Sequence, residues 1–333
     1  MSALLYAGVW SAFAASQPDA RVAPVVSQPV KGPLRIVVVG DTGVVHKPNA
    51  DPCGEVGTSC KLSIDGAAQL WASVKAEDAH AAFLTGDLIY GSHRIESAPR
   101  CRKPDGRVKE RWLDPALGDK VRELGIPVYL SLGNHDTGHQ NRSRARERCL
   151  LRYAETEPAL HMPQLNYVVD FGLARLVVLD TNIPPSKWPE AAFASHEAPW
   201  TLMGGHHVVR THFDKASEHA IRDWLVDTDQ RPDLWVNGHA HFLQFGVYEG
   251  IPAATSGGGA KIRVRPQCPG KDCQGADAPL YSRSTFGYAV VEITDTTLRL
   301  SFKDAAGDPL FCWERDSDDA AGRACSPDHS RSD

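Results

Sequence analysis

The stretch LRIVVVGDTG (residues 34–43) decides the fold, because it joins an apolar run to an aspartate held between glycines. A continuous run of this kind predicts a β-strand that is covered on both faces. The glycines allow the chain to turn sharply where the strand ends. The stretch therefore predicts that Asp41 lies at the tip of a buried strand.

Four later segments repeat this arrangement of a polar side chain beside glycine. They are GDLIY (86–90), GNHD (133–136), GGHH (204–207) and GHAH (238–241), and most of them follow a β-branched or leucine-rich run. Since strand ends gather at one rim of a sheet, we expect these side chains to converge. Taken alone, Asp41 and Asn134 would be interpreted as turn residues and Tyr90 as an aromatic residue of the core. The prediction of a common site therefore depends on all five segments occurring in this order.

Taken together, the five segments resemble the signature of the calcineurin-like metallophosphoesterases over roughly residues 34–241. The tyrosine of GDLIY narrows the resemblance to the purple acid phosphatases of the tartrate-resistant type. The resemblance implies a metallo-dependent phosphatase fold, which is a four-layer α/β/β/α sandwich of two mixed sheets flanked by helices. The sequence pattern agrees with this α+β class, since strands and helices alternate in the first part and β-hairpins follow.

The resemblance also implies two metal ions, iron(III) and a divalent iron, zinc or manganese ion. A phenolate among oxygen ligands suits a hard trivalent ion, whereas an amide with two imidazoles suits a divalent one. Asp87 would bridge the two ions. The implied ligands of the first ion are Asp41, Asp87, Tyr90 and His241, and those of the second are Asp87, Asn134, His206 and His239.

Outside the metal ligands, the resemblance implies that His135 orients the phosphate or protonates the leaving oxygen, a role that imidazole chemistry permits. Asp136 would then orient the His135 ring. Related proteins carry further histidines after the fourth segment, and His207, His212 and His219 all qualify here. We favour His212 as the third catalytic residue, and the other two remain open.

This chemistry predicts an acid phosphatase in which a metal-bound hydroxide attacks phosphate monoesters. Two alternatives stay open: a phosphodiesterase or nucleotidase with a different metal pair, and a non-catalytic secreted binding protein on a phosphatase scaffold. The net charge of −5 and the lack of a basic stripe argue against nucleic acid as a partner. Small phosphate esters are the expected partners, with neither stable membrane insertion nor an obligate protein partner.

The chain ends and the cysteines favour a periplasmic or secreted protein. We predict a signal peptide over residues 1–14, an extended leader over 15–33, a catalytic domain over 34–315 and a flexible tail over 316–333. The apolar start carries no Lys or Arg, and an apolar first helix of a cytosolic protein is the alternative. All eight cysteines lie outside the five segments, which favours disulfides. The sequence leaves their connectivity open, and we expect sequence neighbours such as Cys53 and Cys60 to pair.

Two local features complete the expectations. Asp65 is placed to cap a helix that runs to about Glu77. The glycine run SGGGA (256–260) predicts a tight structural turn; a phosphate cradle is the alternative, but no helix with Lys-Ser or Lys-Thr follows.

Overall fold

The structure is a computed structural model that describes residues 23–43, 53–90, 119–137, 144–194, 196–210, 219–265, 278–319 and 321–327. Within these ranges the chain forms strands and a few α-helices in the following order: β1 Val25–Ser27, β2 Leu34–Val39, β3 Ser59–Lys61, α1 Ile64–Ala76, β4 Ala81–Thr85, α2 Asp119–Leu124, β5 Val128–Ser131, α3 Arg144–Thr156, β6 Leu160–His161, β7 Tyr167–Asp170, β8 Ala174–Val178, β9 Trp200–Gly204, α4 His219–Asp227, β10 Leu234–Asn237, β11 Leu243–Tyr248, β12 Ile251–Ser256, β13 Lys261–Arg263, β14 Tyr281–Arg283, β15 Gly287–Ile293, β16 Thr297–Asp304, β17 Pro309–Asp316 and β18 Arg323–Ala324.

The described strands form two large mixed sheets and a small ribbon. The first sheet has the order β1-β7-β8-β9-β10-β12-β11-β14, and the second has the order β18-β17-β16-β15-β2-β4-β5-β6. In the second sheet β2, β4, β5 and β6 run parallel, whereas β15 to β18 pair antiparallel. β3 and β13 form the antiparallel ribbon. The predicted α+β class with two mixed sheets is confirmed.

The two large sheets pack face to face around the main core. Along β10, Leu234 and Val236 join the cluster shared with the second sheet, while Trp235 joins a separate cluster on the other face. β8 alternates in the same way, as expected when successive side chains of a strand point to opposite faces. The separate cluster includes Ile221 and Leu225 of α4, so this helix covers the outer face of the first sheet.

On the second sheet the outer face is covered by α1, whose buried residues Leu70, Trp71 and Val74 belong to the main core. The Ser63 side chain accepts a hydrogen bond from the Gly66 N–H, so Ser63 caps α1. The expectation that Asp65 caps this helix is wrong, because Asp65 lies inside its first turn. There its carboxylate is close to the positive end of the helix dipole.

The predicted hairpin around Gly172 is confirmed, since β7 and β8 pair antiparallel on either side of it. The apolar run at residues 242–254 forms parts of two strands. β11 and β12 pair antiparallel across a turn at Glu249 and Gly250, both with positive φ.

Ordered strands extend beyond both ends of the predicted catalytic domain. β1 pairs parallel with β7 inside the segment predicted as a leader, and β18 pairs with β17 inside the segment predicted as a flexible tail. Both strands are too short to leave a signal in the sequence, because long-range pairing and not local propensity makes them strands. The predicted signal peptide lies outside the described residues.

Disulfides connect sequence neighbours, as predicted, at Cys53–Cys60 and Cys312–Cys325. Cys149 is also disulfide-bonded, whereas Cys101, Cys268 and Cys273 lie outside the described residues. Within the described ranges, no helix is both long and apolar enough to cross a membrane.

Candidate metal centre

The five glycine-flanked segments all begin at the carboxyl ends of strands. Parallel neighbours β2, β4 and β5 of the second sheet lead to Asp41, Asp87 and Asn134. Parallel neighbours β9 and β10 of the first sheet lead to His206 and His239. Since parallel strands end at the same edge, each sheet brings its polar side chains to one rim, and the two rims meet.

Three of these residues adopt a left-handed backbone. Asp41 has φ 60°, Asp87 has φ 52° and His239 has φ 67°, and each directly follows a glycine. This region is uncommon for residues other than glycine and stores strain where the surrounding structure enforces it. The strained turns aim all three side chains at a common point.

Asp41 is the centre of the first group of contacts. Its buried carboxylate accepts hydrogen bonds from the Tyr90 hydroxyl at 2.9 Å and from the His239 N–H at 2.8 Å. His241 Nδ1 lies 3.7 Å from the same carboxylate. That nitrogen is buried and has no hydrogen-bond partner in the described part of the chain.

Asp87 and Asn134 organise the second group. His206 Nε2 lies 3.4 Å from Asp87 Oδ1 and 3.0 Å from Asn134 Oδ1, and His239 Nδ1 lies 3.0 Å from the same amide oxygen. His206 Nδ1 is 2.8 Å from the Thr85 carbonyl oxygen, so this nitrogen carries the proton and donates. His206 Nε2 therefore turns a lone pair towards Asn134 Oδ1, and His239 Nδ1 lies 3.1 Å from the same nitrogen.

The centre places two buried carboxylates beside the Tyr90 phenol. Burial first, and then the Asp87 carboxylate, raise the pKa of Asp41 well above its usual value. Burial and the same two carboxylates raise the pKa of Tyr90. Burial lowers the pKa of His206, and it lowers the pKa of His241 to about 3, helped by the Lys261 ammonium. A bound cation would reverse these penalties for the acids.

The residues fit metal ions. The orphaned nitrogen of His241 and the opposed lone pairs of His206 and Asn134 are the arrangement that coordination would stabilise. Asp41, Asp87 and His206 bring their ligand atoms within 4.8 Å of one another. All seven predicted metal ligands thus lie in one connected cluster. Its members are Asp41, Asp87, Tyr90, Asn134, His206, His239 and His241.

Asp136 has a different place from the one predicted. Its Oδ1 accepts from the Leu88 and Ile89 N–H groups at 2.9 and 3.0 Å, and its Oδ2 accepts from the Gly133 N–H at 2.8 Å. Both oxygens are thus engaged by backbone amides, and the side chain ties the second segment to the third without holding the His135 ring. Burial, followed by the Asp87 carboxylate, raises the pKa of Asp136 to about 7.

His135 lies at the open side of the cluster. Its N–H donates to Asp87 Oδ1 at 2.9 Å, while its Nε2 is 4.0 Å from Asp87 Oδ2. The ring is 4.5 Å from the Tyr90 ring between centroids, and about a third of the side chain is exposed, 31%. His135 can therefore meet a ligand that enters from solvent.

Of the three further histidines, the structure describes the side chain of His207 alone. Its ring lies 4.6 Å from the His239 ring between centroids, and burial lowers its pKa to about 2. His212 lies outside the described residues, and only the backbone of His219 is described, at the start of α4.

Two features of the centre were missed in the sequence. Thr181 follows β8 and hydrogen-bonds both His206 and His207; its position after a strand is the signal that the other segments share, but no glycine marks it. Lys261 begins β13, and its Nζ lies 5.7 Å from the centroid of the Tyr90 ring. The Arg263 N–H donates to the His241 carbonyl at 2.8 Å, which attaches the β3–β13 ribbon to the fifth segment.

The glycine run packs against the same segments. The Gly259 N–H donates to the Gly40 carbonyl at 3.0 Å, and a methyl group on Gly257 would collide with the Ala240 carbonyl oxygen. In the third segment, a methyl group on Gly133 would collide with the Asp87 carboxylate. Backbone therefore lies directly against backbone throughout the centre.

Comparisons with known proteins agree with this geometry. Purple acid phosphatase 3 from Arabidopsis thaliana is 25% identical over 226 residues, which are 58% of this chain and 59% of that protein. A purple acid phosphatase from yellow lupin (Lupinus luteus) seeds superposes with a TM-score of 0.57 at 15% identity, covering 86% of this chain and 54% of that chain. This chain thus spans just over half the length of either relative.

A second solved structure shares the fold. GAP50, described as the anchor in the inner membrane complex of Plasmodium, gives a TM-score of 0.53 at 17% identity and covers 85% of this chain and 88% of its own. These structural likenesses show the fold alone. A sequence model of the calcineurin-like phosphoesterases matches residues 34–243, which hold all five ligand-bearing segments. The chain belongs to the calcineurin-like phosphoesterase family and resembles its purple acid phosphatases.

Proposed function

We propose that the protein is an acid phosphatase that hydrolyses phosphate monoesters at this centre. One observation carries the proposal: the donors of two adjacent metal sites converge, and His206 and Asn134 turn unprotonated lone pairs towards each other. A divalent cation would stabilise this arrangement, since it accepts lone pairs from an amide oxygen and from imidazole nitrogens alike. It supports a working metal centre on this scaffold.

The contacts divide the donors into two sets. Asp41, Tyr90 and His241 would hold one ion, Asn134, His206 and His239 the other, and Asp87 would serve both. Two such ions, when bound, neutralise phosphoryl oxygens and make water a better nucleophile. The phenol of Tyr90 favours iron(III) in the first set, and the amide with two imidazoles favours a divalent ion in the second.

The chain's own residues would do the rest. His135 stands at the open side, where it can donate a hydrogen bond to a phosphoryl oxygen or a proton to the leaving oxygen. Asp136 holds the backbone of two segments in register, so the ligand turns stay aligned. The disulfides support export to a periplasmic or extracellular compartment.

The test compares two substrates on protein reconstituted with iron and zinc. We expect para-nitrophenyl phosphate to be hydrolysed much faster than bis(para-nitrophenyl) phosphate, with Asp87→Asn abolishing both activities. A preference for the diester would favour the phosphodiesterase alternative. Turnover of neither substrate by the metal-loaded protein would favour a binding role, such as the one named by the description of GAP50 as an anchor.

A further inference from the structure

A cavity lies on the outer face of the first sheet, away from the metal centre. β8 and β9 form its floor, where the paired residues Arg175 and Thr201, and then Val177 and Met203, all line it. Its volume is about 100 Å³, well above the roughly 30 Å³ that one water molecule occupies in the liquid. His206 follows Thr201 by five residues, about 16 Å along an extended strand. The cavity is therefore separate from the predicted metal ligands.

Arg175 brings a buried positive charge to this cavity. The residue is only 7% exposed, and its Nη1 donates to the Ala194 carbonyl oxygen at 2.7 Å. In the described part of the chain this is its one hydrogen bond, and no carboxylate forms an ion pair with it. Asp170 is its partner in the β7–β8 register, but the Asp170 Oδ1 accepts from the Gly172 N–H. Since a guanidinium has five N–H donors, most of those of Arg175 stay available to a ligand.

The other titratable groups that line the cavity leave the Arg175 charge unbalanced. Asp229 and Arg231 offset each other, because Asp229 Oδ1 lies 3.7 Å from Arg231 Nε, and the Asp229 side chain is 93% exposed. Burial, followed by the charge of Arg175, lowers the pKa of His196, so this ring is neutral at pH 7. Burial also lowers the pKa of Arg175, against a smaller opposing effect of Asp170. A bound anion would stabilise the charged guanidinium.

We infer that this cavity is a second binding site, which takes a small organic carboxylate. The carboxylate pairs with the Arg175 guanidinium, whose planar fork matches two carboxylate oxygens. A short apolar chain on the same ligand packs against Val177 and Met203, and Ala192 and Phe193 extend this apolar lining. A bare inorganic ion would leave these walls uncovered. Because the site is separate from the metal centre, the inference does not depend on the proposed function.

Methionine NMR tests the site in the wild-type protein. The chain has three methionines, of which Met203 lines the cavity and Met162 lies in the main core. In zinc-loaded protein with 13C-methyl methionine, we expect butyrate to shift the Met203 resonance in a saturable titration and to leave Met162 unmoved. Met203→Leu identifies the resonance by its loss. A Met203 signal that does not respond to butyrate would overturn the inference.

Variants then distinguish this cavity from the metal centre. Loss of a hydrogen-bonded charge predicts that Arg175→Met weakens butyrate binding by roughly ten- to a hundred-fold in the same titration. Arg175→Lys keeps the charge without the fork and should lose less. Asp87→Asn changes the metal centre alone and should bind butyrate as the wild type does. Binding that is lost in Asp87→Asn but kept in Arg175→Met would place the butyrate at the metal centre and refute the inference.

The length of the acid tests the apolar half of the site and needs no variant of Arg175. Burial of two further methylene groups predicts that butyrate binds roughly tenfold more tightly than acetate. Equal affinities of the two acids, or a Met203 shift with inorganic phosphate that saturates below the butyrate concentration, would contradict an organic carboxylate as the ligand. Failure of the protein to hydrolyse monoesters contradicts the proposed function and leaves each of these expected shifts unchanged.

Discussion

Asp41, Asp87 and Tyr90 show at the scale of single residues why this centre needs cations. Asp41 and Asp87 are buried, Tyr90 is half-buried, and the two carboxylates oppose ionisation of the phenol. Burial lowers the pKa of His206 and His241, so these two histidines are neutral and supply no positive charge to balance the acids. In the metal-free site Asp41 and Tyr90 therefore hold their protons more strongly than usual, and metal binding would release them.

Tyr90 gives the first prediction. Burial and the two carboxylates raise its pKa above the ordinary value of 10, so metal-free protein should show no Tyr90 phenolate at pH 9. Loading with iron(III) should deprotonate the phenol and produce a charge-transfer band in the visible. Tyr90→Phe should lack that band and release one proton fewer on loading. Colourless wild-type protein that contains iron would rule out iron(III) at Tyr90.

His135 gives the second prediction. If it protonates the leaving oxygen, His135→Ala should lose roughly 10²–10⁴-fold of its activity on an alkyl phosphate. An aryl phosphate, whose phenolate departs without a proton, should lose far less. Metal content should stay at the wild-type value, since the ring contacts Asp87 at 4.0 Å but is absent from both donor sets. Equal losses on the two substrates would show that the residue binds phosphate instead.

Sequence reasoning at this scale identified the candidate ligands that the structure brings together but not the residues that support them. Each candidate ligand follows the end of a strand within five residues, so the order and spacing of the segments identify it. Asp136 was misjudged because adjacency to His135 suggested a contact between side chains, whereas the turn aims its carboxylate at amides of another segment. Thr181 acts through a contact 26 positions along the chain, which no local pattern reveals.

At the scale of elements, the β3–β13 ribbon sets the wall of the centre. β13 pairs with β3 over three residues, and the Cys53–Cys60 disulfide anchors β3. The ribbon carries Lys261 to the Tyr90 ring and bonds the backbone of His241. The Cys53–Cys60 disulfide, through this short ribbon, thus supports Tyr90 and His241, two predicted ligands of the first metal ion.

The third prediction concerns the Cys53–Cys60 disulfide. Cys53→Ala opens a short loop, which the chain-entropy estimate values at about 2–3 kcal/mol, and should speed loss of the first metal ion to a chelator. Cys325→Ala is the matched control, because it opens the disulfide at β17–β18, at the far edge of the second sheet. It should lower stability without changing the rate of metal loss. Equal rates in the two variants would contradict a supporting role for the ribbon.

The helices and strands could be predicted where the local sequence alone determines them. The runs of β2, β4, β5 and β10 are mostly apolar because both faces are covered, and the run of β2 was predicted from residues 34–39. β1, β3 and β18 have two or three residues each and depend on distant partners. Their pairing is a property of the assembled sheets.

For the whole molecule, a buried ion cluster around Glu77 joins the helical layer to the second sheet. Glu77 follows α1 and accepts from Lys303 at 2.7 and 2.9 Å, from the Tyr288 hydroxyl at 2.7 Å and from Arg35 at 3.2 Å. The cluster therefore ties α1 to β2, β15 and β16. Arg35 lies six residues before Asp41, about 20 Å along an extended chain.

The fourth prediction follows from this separation. Glu77→Ala should lower the free energy of unfolding by about 3 kcal/mol, at the low end for a buried pair because Arg35 and Lys303 keep some contact with water. Urea unfolding of the metal-loaded protein measures this. Asp223→Ala breaks an exposed pair with Arg222 and should cost about 0.5 kcal/mol or less. Turnover per folded molecule should match the wild type in both, and reduced turnover in Glu77→Ala would link the cluster to the centre.

The close backbone packing at Gly133 and Gly257 limits how this protein can diversify. No side chain fits at either position, because the space is filled by the Asp87 carboxylate in one case and by the Ala240 carbonyl in the other. Random mutagenesis will find the turns that carry the ligands almost immutable, since even a single added carbon displaces a ligand. New specificities can arise only in the walls, at positions such as His207 and Lys261 whose side chains approach the centre from its edges. A directed-evolution library for altered ester preference should randomise these wall positions and keep the residues of the ligand turns unchanged.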